Sequence, residues 1–341
     1  MSHRTLTVWT IGHFLVDWAC ILTVMTVAAT QPLTRAFWLI ISYNLLAFAT
    51  QLLAGALTDR LSWLSRWGAL ACVLTASALF LPTALLPVVI AGCGNALFHV
   101  AGGTSVLRHA RSPLIEAGIF VSTGALGVFL GTRLADNQWL FCYRFGITLA
   151  LLAVAYCLTR LSPIRQAATL APTITLSRRK QLAALGLILT VAVRSLVGLT
   201  TSFSWQSLWW WALAGVVCVM LGKASGGILA HYYTSRQVTV FSLLTASICF
   251  LLADHWPVAG LLAFLTFNMT MPITLVMLAE ILRPRYGLAF GILSFTLFVG
   301  ALPALLTSIT LTPLALASAS LLSLGLMWTS FVLLGEKRCR H

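Results

Sequence analysis

Apolar runs of about 17–25 residues recur from one end of this chain to the other, the length a helix needs to cross about 30 Å of hydrocarbon. No water reaches backbone groups at that depth, so such a segment folds as a helix or as part of a closed barrel. The ten-residue alternation of a barrel strand is absent. The residues are 60% hydrophobic and 8% charged, and the mean hydropathy of +0.96 lies outside the range of soluble globular domains. The expected fold class is all-α, a polytopic membrane protein with twelve transmembrane helices in two six-helix bundles.

The apolar pattern predicts helices over 7–30, 36–57, 66–81, 84–107, 114–134 and 139–160, then 181–201, 207–231, 237–253, 255–281, 286–309 and 312–335, with those at 66–81 and 237–253 the shortest. A net charge of +14 over 341 residues could point to a polyanion, but the placement of the charges argues for topology. Alternate loops collect Arg4, Arg60 and Arg66, Arg108 and Arg111, the cluster from Arg160 to Lys180, Arg236, Arg283 and Arg285, and Lys337, Arg338 and Arg340. The opposite loops hold little beyond Arg35, with Arg133 and Arg144 near helix ends. By the positive-inside rule both termini are expected in the cytoplasm, and nucleic-acid binding is set aside. The first apolar segment reads as a retained helix, because Asp17 interrupts what would be a signal-peptide core. The eight cysteines show no paired spacing, so neither a disulfide framework nor a metal site is expected. Tryptophans near loops, including Trp63, Trp67, Trp139, Trp205, Trp209 to Trp211 and Trp256, read as an interfacial belt.

The longest polar stretch, 161–180, separates an N-terminal bundle over 1–160 from a C-terminal bundle over 181–341. The halves echo each other at Gly55-Ala56-Leu57-Thr58-Asp59-Arg60 and Gly226-Gly227-Ile228-Leu229-Ala230-His231. Two fused six-helix repeats with a site near the bilayer midplane form a transporter layout.

Ionisable residues inside the apolar segments are the functional candidates, since an unpaired carboxylate at the helix centre costs about 2.5–3.5 kcal/mol. His13 and Asp17 stand at i and i+4, share a helical face and can form a charge-assisted hydrogen bond. The choice is between proton coupling and a static pair that orients the first helix. His99 closes the phrase Gly92-Cys93-Gly94-Asn95-Ala96-Leu97-Phe98-His99, where it is a cavity residue or a neutral ring bonded to a neighbouring backbone group. Arg194 stays charged in the seventh segment and calls for an acidic partner, with Asp17 foremost, or an anionic substrate. Gly118, Gly124, Gly127 and Gly131 form a small-residue stripe suited to close helix packing, and Gly226 and Gly227 do the same for the eighth helix.

Several phrases together resemble the major facilitator superfamily and, more narrowly, its fosmidomycin-resistance-like branch. Gly55-x-x-x-Asp59-Arg60 is similar to the superfamily's loop signature. His13-x-x-x-Asp17, Gly92-x-Gly94-x-x-x-Phe98-His99, Gly118 to Gly131, Gly222-Lys223-x-x-Gly226-Gly227 and Glu280 to Ala289 resemble the branch's phrases in their order. Val100, Ala101 and His231 depart from the pattern. The resemblance implies that helices 1 and 7 line a central cavity. It also implies a cytoplasmic gate at Gly55, Asp59 and Arg60, with Glu280 and Arg283 as the analogous pair in the second half. The positive N-terminal end of helix 11 would attract Asp59.

The expected function is secondary active transport by alternating access, with proton-coupled efflux of small anionic or amphiphilic compounds by an antiporter of the bacterial inner membrane. The expected partners are a small-molecule substrate, protons and the lipid bilayer, with a monomeric chain and no cofactor. The alternatives are an importer or facilitator of a metabolite, or a transport-dead sensor or assembly partner. A membrane enzyme finds little support, because no nucleotide-binding loop or metal-ligand set appears.

Overall fold

The computed structural model describes residues 1–82, 85–161 and 175–335. Most of the 161–180 linker lies outside the described residues, as do Lys337, Arg338, Cys339 and Arg340. The described residues are helical with no strand, and they form twelve rods. These are α1 His3–Ala29, α2 Leu33–Thr58, α3 Leu64–Ala78, α4 Leu85–His109, α5 Pro113–Arg133 and α6 Leu140–Arg160, followed by α7 Arg178–Thr200, α8 Trp209–Tyr232, α9 Ser235–Leu252, α10 Pro257–Ile281, α11 Tyr286–Leu306 and α12 Pro313–Leu334. Eleven are long and apolar enough to span a bilayer, and α3 is the exception at 15 residues. The twelve-helix expectation holds, with ends displaced by a few residues.

Polar caps fix many of the ends. Ser2 accepts from the Thr5 N–H at the start of α1, and Thr312 from the Ala315 N–H at the start of α12. Thr234 and Gln237 form a capping box at α9. The α12 helix stops where Gly335 turns left-handed at φ 61°, a conformation that favours glycine.

Three rods are interrupted. A π-turn over Leu45–Ala49 divides α2. In α5 the break falls at Thr123, whose hydroxyl donates to the Thr10 carbonyl of α1 at 2.9 Å. In α10 the break at Met269 has a covalent cause: Pro272 has no N–H to give Asn268, and its ring crowds that carbonyl.

The rods form two compact units. Among the described residues, the first comprises 1–82, 85–111, 123–161 and 284–295, and the second 112–122, 175–283 and 296–335. Inside the first unit α3 packs against α4 and α6, and α1 against α4 and the second segment of α5. Inside the second, α12 packs against α7 and α9, while α8 packs against α10 and the first segment of α5. Exposed Leu33, Leu53, Phe141, Ile248 and Val332 give both units an apolar exterior, which suits lipid as solvent. Trp63, Trp139, Trp209 and Trp256 are exposed near rod ends, in keeping with a belt. Trp205 departs from that expectation. It is buried, stacks on Phe203 and gives its indole N–H to the Ala253 carbonyl at 2.8 Å.

Candidate functional site

The first unit gathers three ionisable side chains inside its apolar core. Helical spacing stacks His13 over Asp17 on α1, with Nε2 to Oδ2 at 3.3 Å. From α4, His99 brings its Nε2 to 3.4 Å from the other carboxylate oxygen, and Asn95 donates its amide to that oxygen at 2.9 Å. The two imidazoles meet edge to face, with ring centroids 4.5 Å apart. His13, Asp17 and His99 are 6%, 9% and 8% exposed, so nearly all bulk hydration has been exchanged for these partners.

The contact between His99 and Asp17 depends on a single proton. The Nδ1 atom of His99 lies 2.8 Å from the Asn95 carbonyl oxygen, which accepts only from an N–H. A neutral ring carries one N–H, so with Nδ1–H on that carbonyl the Nε2 atom donates to Asp17 only when the ring is protonated. One proton therefore makes or breaks the His99–Asp17 contact. Donor atoms of His13, Asp17 and His99 all lie within 4.8 Å of one another, close enough to share one proton or one small cation.

Glycines on α5 allow this arrangement to close. A Cβ at Gly124 would stand 2.3 Å from Asp17 Oδ2 and 2.6 Å from His13 Nε2. Gly127 and Gly131 press similarly on the α1 backbone at Phe14, Trp18 and Leu22. Gly118, in the second unit, faces elsewhere: it meets Lys223 and Gly227 of α8, while Gly226 meets Met269 of α10. The glycines thus serve two different interfaces.

Arg194 is buried in the second unit at 6% exposure. Its Nη2 donates to the Thr270 hydroxyl at 2.9 Å and its Nη1 to the Thr274 hydroxyl at 3.4 Å. The acidic partner expected for it, Asp17, is engaged with the two histidines and Asn95. Arg194 is thus solvated by hydroxyls, and its positive charge is not neutralised by them.

At the α2–α3 turn, Asp59 accepts from the N–H groups of Gly287 at 2.7 Å and Leu288 at 2.9 Å, at the start of α11. Arg108 lies 3.6 Å from the same carboxylate and also donates to the Thr58 and Leu61 carbonyls. Gly55 makes the approach possible, since a Cβ there would sit 2.2 Å from the Gly287 carbonyl oxygen. Arg60, Glu280 and Arg283 are exposed, and among the described residues Glu280 and Arg283 form no ion pair.

Neither a protein-family model nor a curated protein matches the sequence. Solved structures match along nearly the whole chain. The human organic anion transporter MFSD10 aligns with a TM-score of 0.71 at 18% identity, over 97% of this chain and 99% of that one. The E. coli fucose:proton symporter aligns at 0.67 and 13% identity, over 96% and 97%. A bacterial homologue of the iron transporter ferroportin, in its outward-facing state, aligns at 0.63 and 14% identity, over 96% and 98%. The chain has the major facilitator fold. All three of these structures are of membrane transporters.

Within this major facilitator fold, several residues of the sites escape a reading of the sequence. Asn95 stands inside the quoted α4 phrase, yet an amide there carries no signal that it would hold a carboxylate. Arg108 reads as one more basic loop residue until Asp59 is seen beside it. Thr270 and Thr274 look like ordinary small polar residues of a membrane helix, although their i, i+4 spacing puts both hydroxyls on one face.

Proposed function

We propose that this chain is a secondary active transporter that exports small anionic or amphiphilic compounds in exchange for protons. The observation that carries the reading is the His13–Asp17–His99 cluster, in which one proton makes or breaks a buried contact. Asp17 and His99 share the proton across their contact, His13 stabilises it, and Asn95 orients the carboxylate. Arg194 is the anchor for the anion: a buried guanidinium held, among the described residues, by two threonine hydroxyls retains an attraction for a carboxylate or phosphate group. One solved structure of this fold is of an organic anion transporter and another of a fucose:proton symporter, which supports an anion and a proton as passengers and leaves the direction of transport to experiment.

Gly55 and Asp59, with Arg108, form the cytoplasmic gate, and Arg60, Glu280 and Arg283 act at its exposed rim. The moving bodies are the bundles over 1–160 and 181–341, joined by the 161–180 linker. Alternating access then follows from making and breaking the Asp59 contacts with α11. We place the monomeric protein in a bacterial inner membrane with both termini in the cytoplasm.

The test is transport in proteoliposomes under an imposed pH gradient. The wild-type chain should move an organic anion against its gradient, and Asp17→Asn should reduce gradient-driven movement at least about 100-fold while leaving exchange at equal pH. Undiminished gradient-driven transport in Asp17→Asn sinks the coupling role. Arg194→Gln should raise the substrate KM while the pH coupling persists. The same assay separates export from import by the sign of the gradient that drives uptake. The departures Val100 and Ala101 motivate the second reading, a transport-dead partner, which predicts no movement of any solute by the wild-type chain.

A further inference from the structure

The first unit contains a cavity of which the transport reading uses only Arg108, as the partner of Asp59. It encloses about 410 Å³ between the starts of α1 and α3 and the ends of α4 and α6. Arg4, Arg108 and Arg160 reach it from three different helices, together with His109, and its lining contains no Asp or Glu. Arg108 has Asp59 as a partner at 3.6 Å, and Arg160 rests over the Tyr156 ring at 5.0 Å. Among the described residues neither Arg4 nor Arg160 has an acidic partner.

Two further features point to an anionic occupant. The α3 helix starts at this wall without a side-chain cap, with Leu64 and Ser65 of its first turn in the lining, so the positive end of its dipole lies at the cavity. Ser62, Ser65 and Ser105, which also line it, add hydroxyl groups able to donate to an anion. Interfacial anchoring explains arginines that reach outward one by one. It does not explain why Arg4 and Arg160, from two different helices, line the same acid-free cavity as Arg108.

We propose that this cavity binds a phosphate-type oxyanion, gripped by Arg4, Arg108 and Arg160 and by the opening N–H groups of α3. A tetrahedral oxyanion offers several acceptors at once, which matches forked guanidinium donors better than a halide does. The oxyanion belongs either to a phospholipid headgroup or to a soluble phosphate. The site is independent of the proton and substrate roles proposed for Asp17 and Arg194.

The full chain, purified and delipidated in neutral detergent, is titrated with inorganic phosphate at constant ionic strength while thermal unfolding is followed. In parallel, native mass spectrometry follows retention of added phosphatidylglycerol. A saturable rise in Tm with phosphate, its midpoint shifted at least about tenfold by the double substitution R4Q/R160Q and unmoved by R35Q, establishes the site with a soluble ligand. Retained phosphatidylglycerol that is lost in R4Q/R160Q and kept in R35Q, without a phosphate response, establishes it with a lipid headgroup. Neither response, or equal losses in R35Q and the double variant, overturns the proposal. Both arginines are exposed, so the double variant is expected to fold.

Discussion

Asp17 shows how much one α-carbon can control at a distance. The carboxylate is held within reach of two imidazoles because residue 124 has no side chain. Gly124→Ala should displace Asp17 Oδ2, which the added Cβ would meet at 2.3 Å, and cut the proposed proton-driven transport by at least about tenfold, while Gly198→Ala, with nothing within 4 Å, should be silent. Equal rates in the two variants would show that the α1–α5 closure is not needed. Asp59 offers a second residue-level test. Burial pushes its carboxyl up from the ordinary value, against the pull of the Gly287 and Leu288 N–H groups and of Arg108. The docked carboxyl therefore binds a proton more tightly than the same group freed into water, whose pKa is about 3.9. Docking is favoured below that value and loses the benefit as pH rises through the raised one. Hydrogen exchange at the Gly287 and Leu288 amides, corrected for its intrinsic pH dependence, should show protection falling over that window and a flat profile in Asp59→Asn. A flat profile in the wild-type chain would refute the linkage. His13 and Asp17 were legible together because i and i+4 positions meet on any helix. The arrival of His99 at the same carboxylate was not, because the α1–α4 register depends on packing spread over both helices.

At the scale of the element, backbone contact replaces side-chain interdigitation. A Cβ at Gly226 would meet the Met269 carbonyl oxygen at 2.1 Å and Met269 Cα at 2.5 Å, neither of which is a flexible chain end. Gly226→Ala should therefore lower Tm by roughly 5 °C, where Gly325→Ala, facing open space, should leave it unchanged. A Tm unchanged in Gly226→Ala would mean that α8 and α10 can separate freely. The α10 backbone is already bent at that contact by Pro272. Helix existence and order were readable from apolar run length alone, since crossing hydrocarbon leaves the backbone few options. The glycine stripe of α5 was readable as a packing surface but not as two surfaces. Assigning Gly118 to α8 and Gly124 to α1 requires the break at Thr123, which depends on a hydroxyl reaching the Thr10 carbonyl of another helix. Trp205 was misplaced for a related reason. Proximity to a loop suggests a belt residue, while the Ala253 carbonyl that receives its N–H lies 48 positions away.

For the whole molecule, the decisive property is that the solvent is lipid. Cohesion comes from close helix approach and from buried polar contacts such as those around Asp17 and Arg194, because apolar burial gains little against lipid tails. Much of the charge that remains lies near rod ends, where water and lipid headgroups can solvate it. The short α3 rod then acquires a meaning for the surrounding membrane. Its 15 residues rise about 22 Å, against a hydrocarbon core of about 30 Å, and Trp67, Leu70 and Val73 are exposed along one side of it. Acyl chains beside this face must shorten to meet it, at a fraction of a kcal/mol per Å of mismatch. Transport reconstituted in lipids of graded chain length should peak at 14–16 carbons and fall at 20, a trend that lengthening α3 by four leucines after Ala78 should flatten. A profile independent of chain length would contradict it. The protein would then carry in one truncated helix a preference for thin bilayer, a physical address that decides where in a heterogeneous membrane it accumulates.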